Sequence, residues 1–305
     1  MSASAATAQP LHVACAADAK YAPHCAAMLH SVLEHANLPV HIHFLHDERL
    51  PAAALDKLRS LAATGGARFD DVLMDSAMAA GLHVGPGFGL PTWYRSLLPI
   101  VRPDLDRALY LDCDVIAVDS LLPLWEEPLD GALIAAVRNV IEPKLATRHH
   151  ALGIAAEHPY FNAGVMLMDL AGMRREDVAA RLLEFGRRHG EHLLWQDQDA
   201  CNYVFQNRCR YLHPRWNCQN SLFYWAEANE VFGASVVAEA VRAPAILHFE
   251  GPGLAKPWHD LNRHPLRQEY WRHARATPFG AQRPEGRTAR AVLGRMVRRL
   301  RGLPP

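Results

Sequence analysis

Apolar and polar residues alternate in blocks along the N-terminal part of the chain, and these blocks predict strands and helices in turn. Residues 11–17 and 40–45 are short apolar runs typical of buried strands, and residues 68–74 are predicted to form a third strand. Between them, residues 21–35 and 51–63 carry apolar side chains at helical spacing. This order predicts a parallel sheet with right-handed crossovers, in which ligands bind beyond the carboxyl ends of the strands.

The apolar pattern predicts further strands and helices in the rest of the chain. The second strand contains His41 and His43, which alternate with apolar residues and are expected on a solvated face. Residues 138–158 have weak periodicity and many polar groups, a pattern that predicts a mobile or substrate-facing loop. We predict strands over residues 108–111, 132–137, 160–170 and 245–249, and helices over residues 91–98 and 174–189.

Two acidic residues interrupt the apolar pattern in the middle of the chain. The predicted strand over residues 108–111 ends in Asp112 and Asp114, and apolar residues resume at Val115. Carboxylates at the end of a buried strand cost desolvation free energy unless a cation pairs with them. Because alternate strand residues point to the same side, both can converge on one hard cation. The pattern predicts a metal site at the rim of a sheet, with Asp18 on the same edge.

Composition indicates a globular protein. Half of the 305 residues are hydrophobic, and 32 basic residues balance 32 acidic ones. The charge is uneven, because residues 283–305 hold seven Arg and one Glu and leave 25 basic and 31 acidic residues elsewhere. The six cysteines show no CxxC pair and are expected to be reduced core thiols. We expect no signal peptide and no membrane-spanning segment.

Six short blocks occur in the order that they have in a known family. A lone Asp-x-Asp arises by chance in a chain of this length, whereas six collinear blocks form a specific pattern. The chain resembles the retaining glycosyltransferases of family 8, and especially their bacterial lipopolysaccharide galactosyl- and glucosyltransferases. The blocks are Ala16-Ala-Asp-Ala-Lys-Tyr21, Tyr94-Arg95, Tyr110-Leu-Asp-Cys-Asp-Val115, Tyr160-Phe-Asn-Ala-Gly164, Gln196-Asp-Gln-Asp199 and His248 with Lys256-Pro-Trp258.

The resemblance implies an α/β fold of the GT-A type, a Rossmann-like, mixed and mainly parallel sheet flanked by helices. We expect this domain over residues 11–275, after a flexible N-terminus at residues 1–10 and before a basic amphipathic tail at residues 276–305. The implied activity is hexose transfer from a UDP-sugar, UDP-galactose or UDP-glucose, to a glycan acceptor such as lipopolysaccharide. The implied cofactor is a divalent cation, Mn²⁺ with Mg²⁺ as the alternative.

The resemblance assigns Asp112, Asp114 and His248 as the metal ligands. Two aspartates and one imidazole suit Mn²⁺ better than Ca²⁺, whose ligands are usually all oxygen. A divalent cation would stabilise the negative charge that grows on the departing diphosphate. Lys256 is expected at the β-phosphate, and Arg95 at phosphate or the sugar.

One loop departs from the family pattern. The family spaces its His-x-x-Gly-x-x-Lys-Pro-Trp tightly, whereas four residues separate Gly251 from Lys256 here. Two extra residues therefore enlarge the loop that closes over the diphosphate. Either Lys256 still reaches back to the diphosphate, or the loop closes more loosely.

The nucleoside is expected beside the first strand. Ala16, Asp18 and Tyr21 match the segment that reads uracil, in which a carboxylate accepts from N3–H while an aromatic ring stacks. Lys20 stands where the family often has Asn. Cys113, between the two aspartates, belongs to the same donor-binding set.

The sugar is expected near a second group of residues. Asn162, Ala163, Asp197 and Gln198 match positions that hold the sugar and flank its anomeric carbon, and Asp199 either supports this loop or acts directly. Retention permits two displacements through an enzyme nucleophile, or departure and attack on one face. The front-face route is favoured, because Gln198 is a poor nucleophile and Asp197 is expected to bond sugar hydroxyls.

The tail predicts a membrane contact. Its apolar and basic residues fall mostly on opposite faces of a helix, a pattern typical of attachment to an anionic membrane surface. No module for nucleic acid accompanies it. We expect a cytoplasmic enzyme held at the inner membrane, where a lipid-linked saccharide is the acceptor. The apolar residues are Ala289, Val292, Leu293, Met296, Val297, Leu300 and Leu303, and the basic ones are Arg290, Arg295, Arg298 and Arg301.

Three other functions compete with this one. A sugar-1-phosphate nucleotidyltransferase would need a basic, Gly-rich loop after the first strand, which the chain lacks. A non-catalytic UDP-sugar-binding protein is opposed by the retained acidic pair, His248 and Gln198. A glycogenin-like enzyme that glucosylates itself would use Tyr203, Tyr211 or Tyr224 as acceptor.

Overall fold

A computed structural model describes residues 9–145, 148–155, 157–280 and 282–287. The strands alternate with helices as the apolar pattern predicts, apart from the differences given below. The strands are β1 (Leu11–Ala16), β2 (Val40–His46), β3 (Arg68–Leu73), β4 (Arg107–Leu111), β5 (Val115–Ala117), β6 (Ile134–Arg138), β7 (Phe161–Asp169), β8 (Cys209–Tyr211), β9 (Cys218–Gln219) and β10 (Ile246–His248).

The helices connect these strands and cover both faces of the main sheet. The α-helices are α1 (Ala22–His35), α2 (Ala52–Thr64), α3 (Tyr94–Val101), α4 (Leu122–Trp125), α5 (Arg148–Ala151), α6 (Leu170–Arg175), α7 (Val178–His189), α8 (Asp197–Val204), α9 (Asn220–Tyr224), α10 (Glu227–Phe232), α11 (Ala234–Arg242) and α12 (Arg267–Ala276). Short 3₁₀ turns occupy Ser76–Ala79, Leu90–Trp93, Pro143–Leu145, Gly190–His192, Pro214–Asn217 and Gly253–Ala255.

The main sheet has seven strands in the order β3-β2-β1-β4-β7-β6-β8. Neighbouring strands are parallel except where β7 pairs with β4 and with β6. The predicted fold class, a mixed and mainly parallel sheet flanked by helices, is therefore confirmed. Because β7 runs against the others, its amino end lies at the same edge as the carboxyl ends of β1, β4 and β6.

A second, three-stranded sheet adjoins this edge. Its order is β5-β10-β9, and β10 is antiparallel to β5 and parallel to β9. The chain leaves the main sheet at Leu111 and enters the second sheet at Val115. The short turn Asp112-Cys-Asp114 is thus the junction of the two sheets.

Three apolar clusters fill the spaces around the sheets. One packs α1 and α2 on one face of the main sheet, and a second packs α3 and α6–α8 on the other. A third surrounds the second sheet and includes Trp258, Tyr270 and Trp271 of the C-terminal part. Helix α12 packs against α1, so this C-terminal helix belongs to the same packed body as the main sheet.

Two local predictions are wrong. His41 and His43 are buried rather than solvated, because side chains from β3 and the segment after α3, including Arg102, cover this face of β2. The single helix expected over residues 174–189 is two helices, because Asp177 adopts a left-handed conformation with φ +50°. Aspartate enters this region more readily than most residues, so the helix is interrupted there.

Two predictions concern the two ends of the chain. Residues 1–8 and 288–305 lie outside the described residues. The flexible N-terminus and the amphipathic tail therefore stay predictions, as do the domain bounds. Across the described part of the chain, no helix combines the length and the apolar character needed to cross a bilayer.

Buried histidines predict how the stability depends on pH. Burial lowers the pKa of His24 to about 3 and that of His264 to about 4. The unfolded chain binds these protons near pH 6.5, so the free energy of unfolding falls as the pH drops from about 6.5 towards 4. Each such histidine contributes a slope of up to about 1.4 kcal/mol per pH unit.

Denaturant unfolding at a series of pH values measures this slope. His264→Asn should flatten it, because the amide oxygen can replace Nδ1 as the acceptor for Leu266 N–H at 3.1 Å. His192→Asn changes an exposed histidine and should leave the slope unchanged. A wild-type stability that does not change between pH 6.5 and 5 would contradict the prediction.

Candidate active site

The junction between the two sheets places both carboxylates at one edge. Asp112 N–H donates to Gly164 O at 2.8 Å, which ties the turn to β7, and Val115 N–H donates to Asp112 O at 3.4 Å. The Asp112 side chain is 27% exposed and that of Asp114 is 11% exposed. Two acidic groups are therefore held close together, one partly open to solvent and one nearly buried.

Strand pairing brings His248 to this turn from more than a hundred residues away. In the β5–β10 pair His248 lies opposite Val115, and Phe249 N–H donates to Asp114 O at 3.0 Å. His248 Nε2 lies 3.3 Å from Asp114 Oδ1. One ligand atom from each of Asp112, Asp114 and His248 falls within 4.8 Å of the others.

The orientation of the His248 ring follows from its other nitrogen. His248 Nδ1 lies 2.9 Å from Asn217 Oδ1, and Asn217 Nδ2–H donates to Asn162 Oδ1 at 2.9 Å. This arrangement assigns the proton to Nδ1 and leaves the Nε2 lone pair directed at the carboxylates. Metal-binding histidines are oriented in the same way by a partner on the second nitrogen. The donor set therefore fits a divalent cation.

Gly164 is required by the close approach of the two halves of this cluster. A Cβ at this position would lie 2.4 Å from His248 Cε1 and 2.9 Å from Asp112 Oδ2. Neither neighbour is the end of a long flexible side chain, so both would have to move. The glycine of the Asn162-Ala-Gly164 block thus leaves room for the cluster itself.

Lys256 reaches the acidic pair despite the enlarged loop. Its Nζ donates to Asp114 Oδ2 and, at 3.1 Å, to Phe249 O. The loop turns back through Gly251, which has φ +92°, and through the 3₁₀ turn Gly253–Ala255. Burial opposes the charge on Asp114, but Lys256 and His248 outweigh it and lower the pKa of Asp114. The two extra residues are therefore accommodated without loss of this contact.

Arg95 is buried but lines the cavity described below. Its Nη2 lies 2.9 Å from Asp112 Oδ1 and its Nε lies 2.6 Å from Asp197 Oδ2. Its Nη1 donates to Ala163 O, and its guanidinium lies 4.4 Å from the centre of the Tyr110 ring. Every guanidinium nitrogen thus has a protein partner, and the expected contact of Arg95 with phosphate or sugar stays a prediction.

Asp197 begins helix α8 and is almost fully buried. Burial raises its pKa to about 7, although Arg95 acts in the opposite direction. The preceding residue, Gln196, has φ +50°, which turns the chain sharply into the helix. Asp197 also lines the cavity described below.

The residues expected around the sugar lie together at the amino end of β7. Ala163 N–H donates to Gln198 Oε1 at 2.9 Å, so the amide of Gln198 offers Nε2 as a donor. Asn162 Oδ1 accepts from Gly164 N–H at 2.9 Å as well as from Asn217. Asn162, Ala163 and Gln198 all line the same cavity.

Asp199 differs from its neighbours. Its Oδ1 accepts from the Tyr160 hydroxyl at 2.7 Å and its Oδ2 accepts from Trp195 N–H at 3.0 Å. It is fully buried and does not line the cavity. The structure therefore places it in the support of the loop and not among the groups that face a ligand.

The predicted nucleoside segment lies at and directly after the carboxyl end of β1. Asp18 Oδ1 accepts from Tyr21 N–H at 2.9 Å, which shapes the turn before α1. Tyr21 packs edge-on against Trp258, with ring centres 5.9 Å apart. Cys113 Sγ lies 3.1 Å from Ala16 O. Ala16, Asp18, Tyr21 and Cys113 all line the cavity.

One cavity of about 1630 Å³ is lined by most of these groups. Asp112, Asp114, His248, Gly251 and Lys256 are among its lining residues. The lining also includes side chains that are both apolar and exposed. They are Phe88, Leu194, Tyr224, Trp225, Leu254 and Leu261.

Sequence reasoning did not assign roles to three residues of this site. Gly164 stands in one of the six blocks, so its spacing carried a signal. Asn217 belongs to none of them. Glu250 follows His248 by two residues, and its carboxylate accepts from Asn220 N–H at 2.5 Å and from Ser221 N–H at 3.0 Å. Glu250 therefore fixes the start of α9 against the loop that carries Lys256.

Comparison with known proteins identifies the family. The sequence model described as "Glycosyl transferase family 8" matches residues 12–262. The chain belongs to glycosyl transferase family 8. The matched range contains every residue of the site described above.

Individual relatives agree with this assignment. General stress protein A of Bacillus subtilis is 25% identical over 275 residues, which cover 88% of this chain and 94% of that protein. Lipopolysaccharide 1,3-galactosyltransferase of Salmonella typhimurium is 26% identical over 213 residues, which cover 68% of this chain and 60% of that protein.

Solved structures show the same fold. The galactosyltransferase LgtC, solved in complex with donor and acceptor sugar analogues, matches with a TM-score of 0.77 at 23% identity, over 89% of this chain and 98% of that one. GlyE of Streptococcus pneumoniae matches with a TM-score of 0.64 at 23% identity, over 87% of this chain and 60% of that one. The fold of this family 8 chain is therefore the GT-A fold.

The close approach at Gly164 yields a prediction. Gly164→Ala should displace His248 and Asp112 and lower the rate of sugar transfer by about 100-fold, the effect of misplacing reacting groups by about 1 Å. Initial rates and circular dichroism of the purified variant measure the loss of activity and the integrity of the fold.

Gly172→Ala is the matched control. A Cβ there would lie 2.2 Å from Asp169 Oδ2 and 2.8 Å from Leu133 Cδ2, an equally severe overlap away from the cavity. We expect lower stability with a near-normal rate per folded molecule. Equal losses of rate in both variants would show that Gly164 has no particular role at the site.

Proposed function

We propose that this family 8 chain transfers a hexose from UDP-galactose or UDP-glucose to a glycan acceptor, with retention of configuration at the anomeric carbon. The observation that carries the proposal is the convergence of Asp112, Asp114, His248 and Lys256 in the wall of one large cavity. The galactosyltransferase names of the Salmonella relative and of LgtC support a hexose donor.

Asp112, Asp114 and His248 would hold a divalent cation. Two carboxylates with one imidazole favour Mn²⁺, with Mg²⁺ as the alternative. When bound, the cation would supply Lewis-acid stabilisation of the negative charge on the departing UDP. Asn217 contributes by holding the His248 ring with Nε2 directed inward.

Lys256 and the segment that follows β1 would bind the rest of the nucleotide. Lys256 pairs with Asp114 in this structure, and its charge is available to a diphosphate once a cation takes over that carboxylate. The ammonium group of Lys256 is a compact positive charge with three N–H donors, which suits contacts with phosphate oxygens. Asp18 and Tyr21 would then face the uracil, the carboxylate accepting from N3–H.

Arg95 is proposed as a positioning residue. It was expected at phosphate or sugar, but its three nitrogens bond Asp112, Asp197 and Ala163. It neutralises two carboxylates that would otherwise repel one another and fixes the turn against the start of α8. The rest of the donor-binding set depends on this arrangement.

The contacts of Gln198 and Asp197 favour the front-face route. The Gln198 carbonyl oxygen already accepts from Ala163 N–H, and the Asp197 carboxylate is paired with Arg95 and buried. Neither group is placed as a nucleophile. Gln198 Nε2 would donate to the sugar, and the acceptor hydroxyl would attack on the face that the diphosphate leaves, giving its proton to a diphosphate oxygen.

UDP release from a panel of UDP-sugars tests the proposal. We expect release from UDP-galactose or UDP-glucose in the presence of Mn²⁺, and its loss with a chelator. Asp114→Asn keeps the shape of the side chain but removes its charge, and should slow release by about 100-fold or more, because metal stabilisation is worth several kcal/mol.

Asp119→Asn is the control for that substitution. Asp119 pairs with Arg215 at the surface, 2.5 Å away, and does not line the cavity. We expect its rate to equal that of the wild type. Release that ignores the chelator, or that fails with every UDP-sugar, would overturn the proposed function.

The same incubation distinguishes a self-glycosylating enzyme. Of the three tyrosines considered, Tyr224 lines the cavity and is 56% exposed, whereas the Tyr211 hydroxyl donates to Pro159 O at 2.6 Å. A hexose added to Tyr224 would appear as a rise in the intact mass. Under the proposed function the mass stays constant while UDP accumulates.

We also propose that the basic tail holds the enzyme at an anionic membrane, where a lipid-linked saccharide would be the acceptor. Residues 288–305 of the tail lie outside the described residues, and the net positive charge of residues 283–305 against an acidic remainder supports the proposal. Truncation after residue 280 should leave UDP release intact but abolish sedimentation with phosphatidylglycerol vesicles.

Replacement of Arg295, Arg298 and Arg301 by Gln in the full chain separates charge from length. We expect this variant to lose most vesicle binding, and neither wild type nor variant should bind neutral phosphatidylcholine vesicles. Vesicle binding that survives truncation would contradict the membrane proposal.

A further inference from the structure

A second cluster of polar side chains lies on the main sheet. In the register of β1 and β2, His12 pairs with His41 and Ala14 pairs with His43, so the three histidines share one face. His43 is in register with Asp70 of β3, which places this aspartate on the same face. Three adjacent strands therefore contribute three imidazoles and one carboxylate to a single patch.

The four side chains are in close contact. His12 Nδ1 lies 3.0 Å from His43 Nε2, and His41 Nε2 lies 2.9 Å from Asp70 Oδ2. One nitrogen from each of the three histidines falls within 4.8 Å of the others. The buried His41 Nε2 forms no hydrogen bond of acceptable geometry, although Asp70 is so near.

The cluster is separate from the active site. His12 and His41 are each the second residue of their strands, so they lie towards the amino ends of β1 and β2. The cavity lies at the carboxyl ends, and none of the four residues lines it.

We propose that His12, His41 and His43 bind a transition-metal ion of the zinc class. Three imidazoles are a donor set for tetrahedral Zn²⁺ with water in the fourth position, in which neighbouring ligand atoms are about 3.3 Å apart for bonds of about 2.0–2.1 Å. The 3.0 Å between His12 Nδ1 and His43 Nε2 is close to that spacing, and Asp70, 2.9 Å from His41 Nε2, places a negative charge beside the site. An ion here would join β1 and β2.

The protonation state of the histidines agrees with this role. Burial lowers the pKa of all three, and the neighbouring charge of Arg102 acts in the same direction on each of them, whereas Asp70 raises the pKa of His41 and His43. Neutral imidazole is the form that binds a metal. The negative charge of Asp104 raises the pKa of His12, and Arg68 pairs with Asp70 Oδ1 at 3.3 Å.

Arg102 competes with the proposed ion. Its Nη1 contacts His43 Nδ1 and lies 3.0 Å from Asp70 Oδ2. Its Nε and Nη2 donate to Asp104 at 2.9 Å and 2.7 Å, so this pair fixes the other side of the guanidinium. Metal binding through His43 Nε2 leaves the proton of the ring on Nδ1, which then faces the Arg102 guanidinium, so this contact must be released while the Asp104 pair remains. Removal of the Arg102 charge should therefore tighten metal binding.

Titration with Co²⁺ tests the proposal on the untagged full chain. Tetrahedral Co²⁺ absorbs visible light more strongly than octahedral Co²⁺, so the spectrum reports the geometry as well as the number of ions. We expect the wild type to bind one equivalent more than His12→Gln, with a tetrahedral difference spectrum. Arg102→Gln should bind this equivalent at least tenfold more tightly than the wild type.

His30→Gln is the matched control, because it removes a histidine from a group formed by His30, Glu34 and His273 on α1 and α12. It should leave the tetrahedral spectrum unchanged. His41→Gln, which removes another proposed ligand, provides a second test if His12→Gln does not fold as judged by thermal unfolding in EDTA. Equal stoichiometry and spectra in the wild type and the folded cluster variants, or no Co²⁺ bound by Arg102→Gln, would overturn the proposal.

Discussion

Negative charge at the junction of two sheets is the constraint on which the site depends. Asp112 and Asp114 stand where the chain passes from one sheet to the other, largely removed from water, and such groups are tolerated only when positive charge matches them. Arg95 of α3 pairs with Asp112, and Lys256 of the enlarged loop pairs with Asp114. The two cations come from distant parts of the sequence, so the folded chain must close around the acidic pair before either charge is compensated.

The sheet topology explains why so many polar side chains reach one cavity. Parallel strands β1 and β4 present Asp18 and Asp112 at their carboxyl ends, and the reversed strand β7 presents Asn162 at its amino end. The second sheet adds His248 through its pairing with β5. Asn217 joins these parts, because its amide bridges His248 and Asn162. Mutual hydrogen bonding therefore aligns side chains that no single element carries.

Local pattern was sufficient to predict the edge of the sheet where Asp18, Asp112 and Asp114 meet, since an apolar run that ends in carboxylates is typical of a buried strand leading into a polar rim. It could not predict the direction of β7 or the pairing of β10 with β5, because both depend on contacts between residues far apart in sequence. The burial of His41 and His43 was missed for the same reason. Their cover comes from β3 and from Arg102, which no alternation within β2 reveals.

The proposed role of the junction is to hold UDP through a divalent cation. Calorimetric titration with UDP, in the presence and absence of Mn²⁺, tests this role without dependence on the donor sugar or the acceptor. We expect binding at least tenfold tighter with Mn²⁺, and loss of this gain in His248→Ala, which removes one proposed metal ligand. Equal UDP affinity with and without Mn²⁺, or an undiminished gain in His248→Ala, would overturn the metal-dependent binding of UDP at the junction.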